Sequence, residues 1–257
     1  MESVTNHEEN IITLDEVIER MTLRLETLQE CGDHRAVFQR VYLLMTKEMK
    51  GRLSSGFFLD PDWMERVLVH FAQFYFDALN AYEAHQSCAP AWQLAFQQAA
   101  DKNGFVLQDA LLGINAHINR DLPMVLYQVL HEENAWPDAR VMLSRRHDHE
   151  RINEVLASLV DLVQDELAHH YARLLRPIDF LMGRKDESLS SFILNHCRTN
   201  VWYDTEQLLD ARSDEQRNIL KERIEQDAYA IGLQVVNVRP FRVLRKLAPM
   251  ARKSQLF

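Results

Sequence analysis

Residues 111–123 read LLGINAHINRDLP, an apolar run that carries two asparagines, a histidine and an aspartate. A single helical phase, at 100° per residue, accounts for all four. His117 and Asp121 fall one turn apart on one face, and the small residues Ala110 and Gly113 precede them on the same stripe and leave room. Asn115 and Asn119 form a second pair on roughly the opposite face, while Leu111, Ile118 and Leu122 fill the side between. This helix is polar in two narrow strips, unlike an ordinary amphipathic helix with one solvent face.

Working outward, no stretch alternates apolar and polar residues as a half-buried strand would, and only 7 Gly and 7 Pro interrupt 257 residues. The reading is all-α, a single-domain multi-helix bundle of about eight to ten helices. A helix starts near Thr13, with Asp15 and Glu16 in its first turn. Others are expected at 34–50, 61–86, 90–102, 105–121, 123–135, 149–175, 188–211 and 213–232. In DPDWMERV, Asp60 can cap and Pro61 suits the first helical position. No linker or repeat divides the chain, so the expected organisation is a disordered tail over 1–10, a helical domain over 11–238 and a basic tail over 239–257.

A hydrophobic content of 47% supplies a full core, and a net charge of −9 argues against general nucleic-acid binding. Charge is uneven. Arg239, Arg242, Arg245, Lys246, Arg252 and Lys253 share the last nineteen residues with no acid, leaving −15 on the rest. Their interleaving with Phe241, Val243, Leu244 and Leu247 suits either docking onto the acidic body or peripheral contact with an anionic membrane. No run of about 20 apolar residues spans a bilayer, so no transmembrane segment is expected. Cys31, Cys88 and Cys197 are widely spaced, and the polar N-terminus is unlike a signal peptide. The expected location is the cytoplasm.

His and Asp at i and i+4 can both reach one divalent cation. In the same positions His117 can instead be a hydrogen-bonded core histidine, and Asp121, two residues before Pro123, a cap for the next helix. Further ligands are sought in HDHERINEVLASLVDLVQDELAHHYARLL, where Glu166 and His170 lie on or beside the apolar face of Leu159, Val163 and Leu174. Asp165 and His169 fall opposite, and a phase error of one residue would exchange the two pairs. Asp77, on a strip with His70, Gln73 and Asn80, is a third contributor among aromatics that either line an apolar pocket or form plain core. The expected metal set is His117, Asp121, Glu166, His170 and Asp77, with Asn115, Asn119 and Arg198 as catalytic residues. No GxSxG, P-loop or GxGxxG is present.

The segments FFLDPDWMERVLVHFAQFYFDALNAY, AWQLAF, LLGINAHINRDLP and HDHERINEVL together resemble a bacterial family that carries a domain of unknown function. The resemblance covers about residues 35–176 and implies that Asn115, His117, Asp121, Pro123 and Asn153 occupy hallmark positions; it implies no activity. The HxxxD pair is also similar to that of all-helical zinc phospholipases and nucleases, although their N-terminal Trp ligand and later HxxxE or HxxxD pair are missing. Helical haem-oxygenase-like diiron oxygenases share the DxxxH or ExxxH pair.

Three functions follow as expectations. One is a metal-dependent enzyme with its site between two helices: zinc would serve hydrolysis of an ester or phosphoester. A second is iron or manganese in place of zinc, with non-haem iron directing oxygen chemistry at an apolar substrate. The third is a non-enzymatic protein that holds a small apolar or lipid-like molecule beside a buried polar network.

Overall fold

The structure, a computed structural model, describes residues 13–101, 106–156, 158 and 200–237. Among these residues every regular element is helical, so the all-α reading holds. Thr13 opens α1 (Leu14–Glu30) with a capping box: its Oγ1 accepts from Glu16 N, and its own N donates to Glu16 Oε2 at 3.0 Å. Next come α2 (Arg35–Ser54), α3 (Pro61–Glu83) and α4 (Pro90–Ala100). Asp60 caps α3 as expected, accepting from Trp63 N at 2.9 Å with Pro61 in the first turn.

The motif segment departs from expectation. In place of two helices broken at Pro123, α5 (Val106–Asn115) runs through a π-helical turn, Ala116–Asp121, directly into α6 (Leu122–Glu132). Leu122 N–H donates to His117 O, five residues back. A proline ring collides with the carbonyl four residues earlier and donates nothing to it, and the wide turn lets the helix continue past Pro123. Asp121 therefore gives Leu122 no side-chain cap, which corrects that reading of it.

Helical residues 139–156 form the described part of α7, residues 200–210 form α8, and α9 is Asp214–Asn237. The expected domain ends, 1–10 and 239–257, lie outside the described residues.

Helix α1 packs on α2, α5 on α2, and α3 on α6, while α4 and α9 lie along α5 and the π turn. α9 buries only Ile224, Ala228, Gly232 and Val235. Gly232 lets it approach closely, since a Cβ there would sit 2.9 Å from Leu94 Cδ2. From α7, the fully buried Asp148 accepts from Leu59 N and Asp60 N, both at 2.8 Å, and fixes the chain entering α3. The core beneath is aromatic: Phe38, Tyr42, Tyr75, Trp92 and Phe96 stack edge to face or in parallel.

Candidate functional site

The π turn sends its two polar strips to different neighbours. On the α9 side, Asn115 Nδ2 donates to Ala228 O at 2.8 Å, and Asn119 Nδ2 donates to Asn115 Oδ1 at 2.7 Å. Gln108, two turns earlier, reaches Val235 O from the same helix at 3.1 Å. These amides tether α9 to α5, and this is where the structure places Asn115 and Asn119, two of the residues expected to be catalytic.

The other strip enters the aromatic core. His117 is 3% exposed and Asp121 is fully buried. His117 Nδ1 lies 3.1 Å from Asp121 Oδ2, which also accepts from Trp92 Nε1 at 2.8 Å. Arg120 donates to Asp121 Oδ1 at 3.0 Å and to Glu225 of α9 at 2.7 Å. Asp121 is thus held by three donors and is buried without being an unpaired charge. Burial lowers the Arg120 guanidinium pKa, but Asp121 and Glu225 outweigh that and hold it above its ordinary value.

A carboxylate only accepts, so His117 carries its proton on Nδ1 and leaves a lone pair on Nε2. Burial holds the imidazole pKa below its ordinary value, against the pull of the Asp121 hydrogen bond, which keeps the ring neutral. Nε2 is buried and has no hydrogen-bond partner among the described residues. Leaving such an acceptor unpaired costs about 1–3 kcal/mol.

Packing fixes this ring. Phe71 lies parallel to it with centroids 3.4 Å apart, and the Tyr42 ring stands at a steep angle with its centroid at 4.3 Å. Phe38 is held over it by Gly113: a Cβ at that position would fall 2.4 Å from Phe38 Cγ. Sequence reasoning placed Gly113 on the correct stripe and identified the space it leaves.

Beside the ring is a cavity of about 110 Å³, lined by Tyr42, Met45, Met49, Leu68, Phe71 and Ile118 among others, with His117 in its wall. His117 is part of that wall and Asp121 is not, so the pair reaches the cavity through the imidazole alone. Tyr42 and Thr46 are the other lining residues with polar side-chain atoms, and Thr46 Oγ1 donates to Tyr42 O within α2. Burial, with Asp121 nearby, pushes the Tyr42 hydroxyl pKa well above its ordinary value and keeps it protonated.

The expected metal set is only partly brought together. His117 and Asp121 meet, but they bind each other. Asp77 sits on the exposed face of α3, where Gln73 Nε2 donates to it at 2.6 Å, and it does not join them. Glu166, His170 and Arg198 lie outside the described residues. Among the described residues, no group of three or more His, Cys, Asp or Glu is placed to hold a metal ion. Trp92, Arg120, Phe71 and Tyr42 were not expected at the site. Arg120 had a signal in its place next to Asp121, whereas Trp92 comes from a distant helix with nothing local to mark it.

The chain belongs to a family of unknown function, DUF5995, whose family model matches residues 14–238. No curated protein and no solved structure matches it.

Proposed function

We propose that this member of the DUF5995 family binds a small apolar molecule in the cavity beside His117, with the His117–Asp121 pair presenting a basic nitrogen to it. The supporting observation is that His117, whose buried Nε2 has no partner among the described residues, is part of the wall of an otherwise apolar cavity. Most buried polar side-chain atoms are paired, and the exception at His117 Nε2 belongs to a residue of the cavity wall. Water is a poor partner here, since a buried water needs two to four polar neighbours and the wall is almost wholly hydrocarbon. Where the bound molecule carries a hydroxyl, Nε2 can accept a hydrogen bond from it, with Asp121 fixing the tautomer that leaves this lone pair open. Trp92 and Arg120 hold Asp121 for that role.

Benzene tests the cavity itself. Thermal stability of the wild type should rise with benzene concentration in a saturable way, and Val67→Phe, which fills the cavity from α3, should abolish the response. A wild type that ignores benzene would contradict the proposal.

A second reading keeps a divalent metal on His117 Nε2, because a carboxylate on the far ring nitrogen is the usual support of a histidine ligand. Glu166 and His170 would supply further ligands, with zinc serving ester or phosphoester hydrolysis, or iron or manganese serving oxygen chemistry. Metal below about 0.1 per chain after growth with metals supplied would dismiss it. For location we propose the cytoplasm, on the strength of the spaced cysteines, of which Cys31 and Cys88 are free. No helix among the described residues is long and apolar enough to cross a membrane. Peripheral membrane contact through residues 239–257 remains a proposal from their basic, apolar sequence.

A further inference from the structure

We infer that the cavity selects an uncharged hydroxylic molecule, one hydroxyl on an apolar body about the size of a single ring. This rests on the proposed binding of a small apolar molecule at His117 and names its chemical class. The acceptor comes first. Nδ1 donates to Asp121, so the one ring nitrogen of His117 left for a ligand, Nε2, offers only a lone pair, and the ligand must be the donor.

Charge comes second. Among the described residues no Lys, Arg, Asp or Glu lines the cavity, and Arg120, beside Asp121, is engaged by Asp121 and Glu225. A carboxylate would enter without a counter-ion and would set its oxygens against the Nε2 lone pair. An ammonium could donate, but Asp121 behind the ring is already held by three donors, so little field is left to repay its desolvation. A neutral hydroxyl avoids both penalties.

Size comes third. Apolar cavities of about 150 Å³ stay dry and take up benzene. At about 110 Å³, walled by flexible Met45 and Met49, this one has room for one ring or a short branched chain, not for a fused ring system or a long acyl tail. Phe71 and Tyr42, which pack against the His117 ring, also line the cavity and offer it aromatic surface.

The test compares phenol with benzene, anisole and benzoate at neutral pH by calorimetry on the full chain. Phenol should bind roughly tenfold more tightly than benzene or anisole, which fill the same space without donating, and benzoate should not bind. In His117→Phe the preference for phenol over benzene should fall to about onefold. Phenol should also move the Nε2 ¹⁵N resonance of wild-type His117 while benzene leaves it in place, a readout that does not depend on the variant folding. Equal affinity for phenol and benzene, or tight binding of benzoate, would overturn the hydroxyl assignment while leaving the apolar cavity standing. Failure of all four to bind would overturn both.

Discussion

His34 and His117 each meet an aspartate through Nδ1, at 3.3 Å to Asp109 and 3.1 Å to Asp121. Their ionisation is nevertheless driven in opposite directions. The hydrogen bond from Asp109 outweighs partial burial and raises the pKa of His34, whose side chain is 19% exposed. Burial wins at His117, 4% exposed, and lowers its pKa. Asp121 also answers Trp92 and Arg120, so less of its attraction remains for the imidazole. A His–Asp contact therefore does not fix the charge of a histidine; solvent and the aspartate's other partners do. At the edge of α2 the pair favours the imidazolium and clasps two helices. In the core it is a neutral ring with an open lone pair.

Removing the shared aspartate should produce the largest effect. Asp121→Ala strands His117 Nδ1, Trp92 Nε1 and one arm of Arg120 in the core, and should cost about 3–5 kcal/mol in urea unfolding. His34→Ala takes away one partly exposed ring and should cost about 1 kcal/mol. Equal costs would erase the distinction between the two pairs.

A packing change should separate the core pair from the clasp without touching a polar atom. Gly113→Ala drives a methyl into the Phe38 ring and should cost about 1–3 kcal/mol, displacing Phe38 from His117 and reducing benzene uptake. Gly51→Ala in α2 meets nothing within 4 Å and should stabilise by up to about 1 kcal/mol. If Gly113→Ala melts like the wild type, Phe38 does not hold the ring as described.

Much of this was legible in the sequence, and the limits have physical causes. Caps are local, so Thr13, Asp60 and Pro61 marked their helix starts from neighbouring residues alone. Periodicity separated the two strips of the 111–123 helix, because an angle around an axis survives without knowledge of the neighbours. It could not say what each strip meets. Asn115 and His117 looked equally fit for a site, yet one meets a backbone carbonyl of α9 and the other an aromatic cavity. Asp77 shared a strip with Gln73, and nothing in a helical wheel distinguishes a polar strip facing solvent from one facing a site. Proline read as a break because the rule assumes an α turn; the π turn is the alternative that lets the helix run on.

Smaller, and opposite in sign, are the pH effects. The folded-state pKa of His117 lies below the ordinary 6.5, so below that value the unfolded chain binds more protons than the folded one. Its contribution is intact above pH 6.5 and is lost as pH falls. The folded-state pKa of His34 lies above 6.5, so its contribution is intact below 6.5 and is lost as pH rises through the raised value. Urea midpoints should therefore fall on both sides, with His117→Gln flattening the acid limb and His34→Gln the alkaline one. A His117→Gln variant that keeps the wild-type acid limb would remove His117 as its source.

The most direct measurement is a long-range ¹H–¹⁵N correlation spectrum of the histidine rings across pH, with His117 among the 11 histidines assigned by its loss in His117→Gln. His117 should appear as the neutral tautomer protonated on Nδ1, with an unprotonated Nε2, and should stay so below pH 6.5 while His34 is already an imidazolium. A His117 protonated on Nε2, or one that titrates together with His34, would mean that Nε2 has no lone pair to offer a ligand and that the proposed base does not exist.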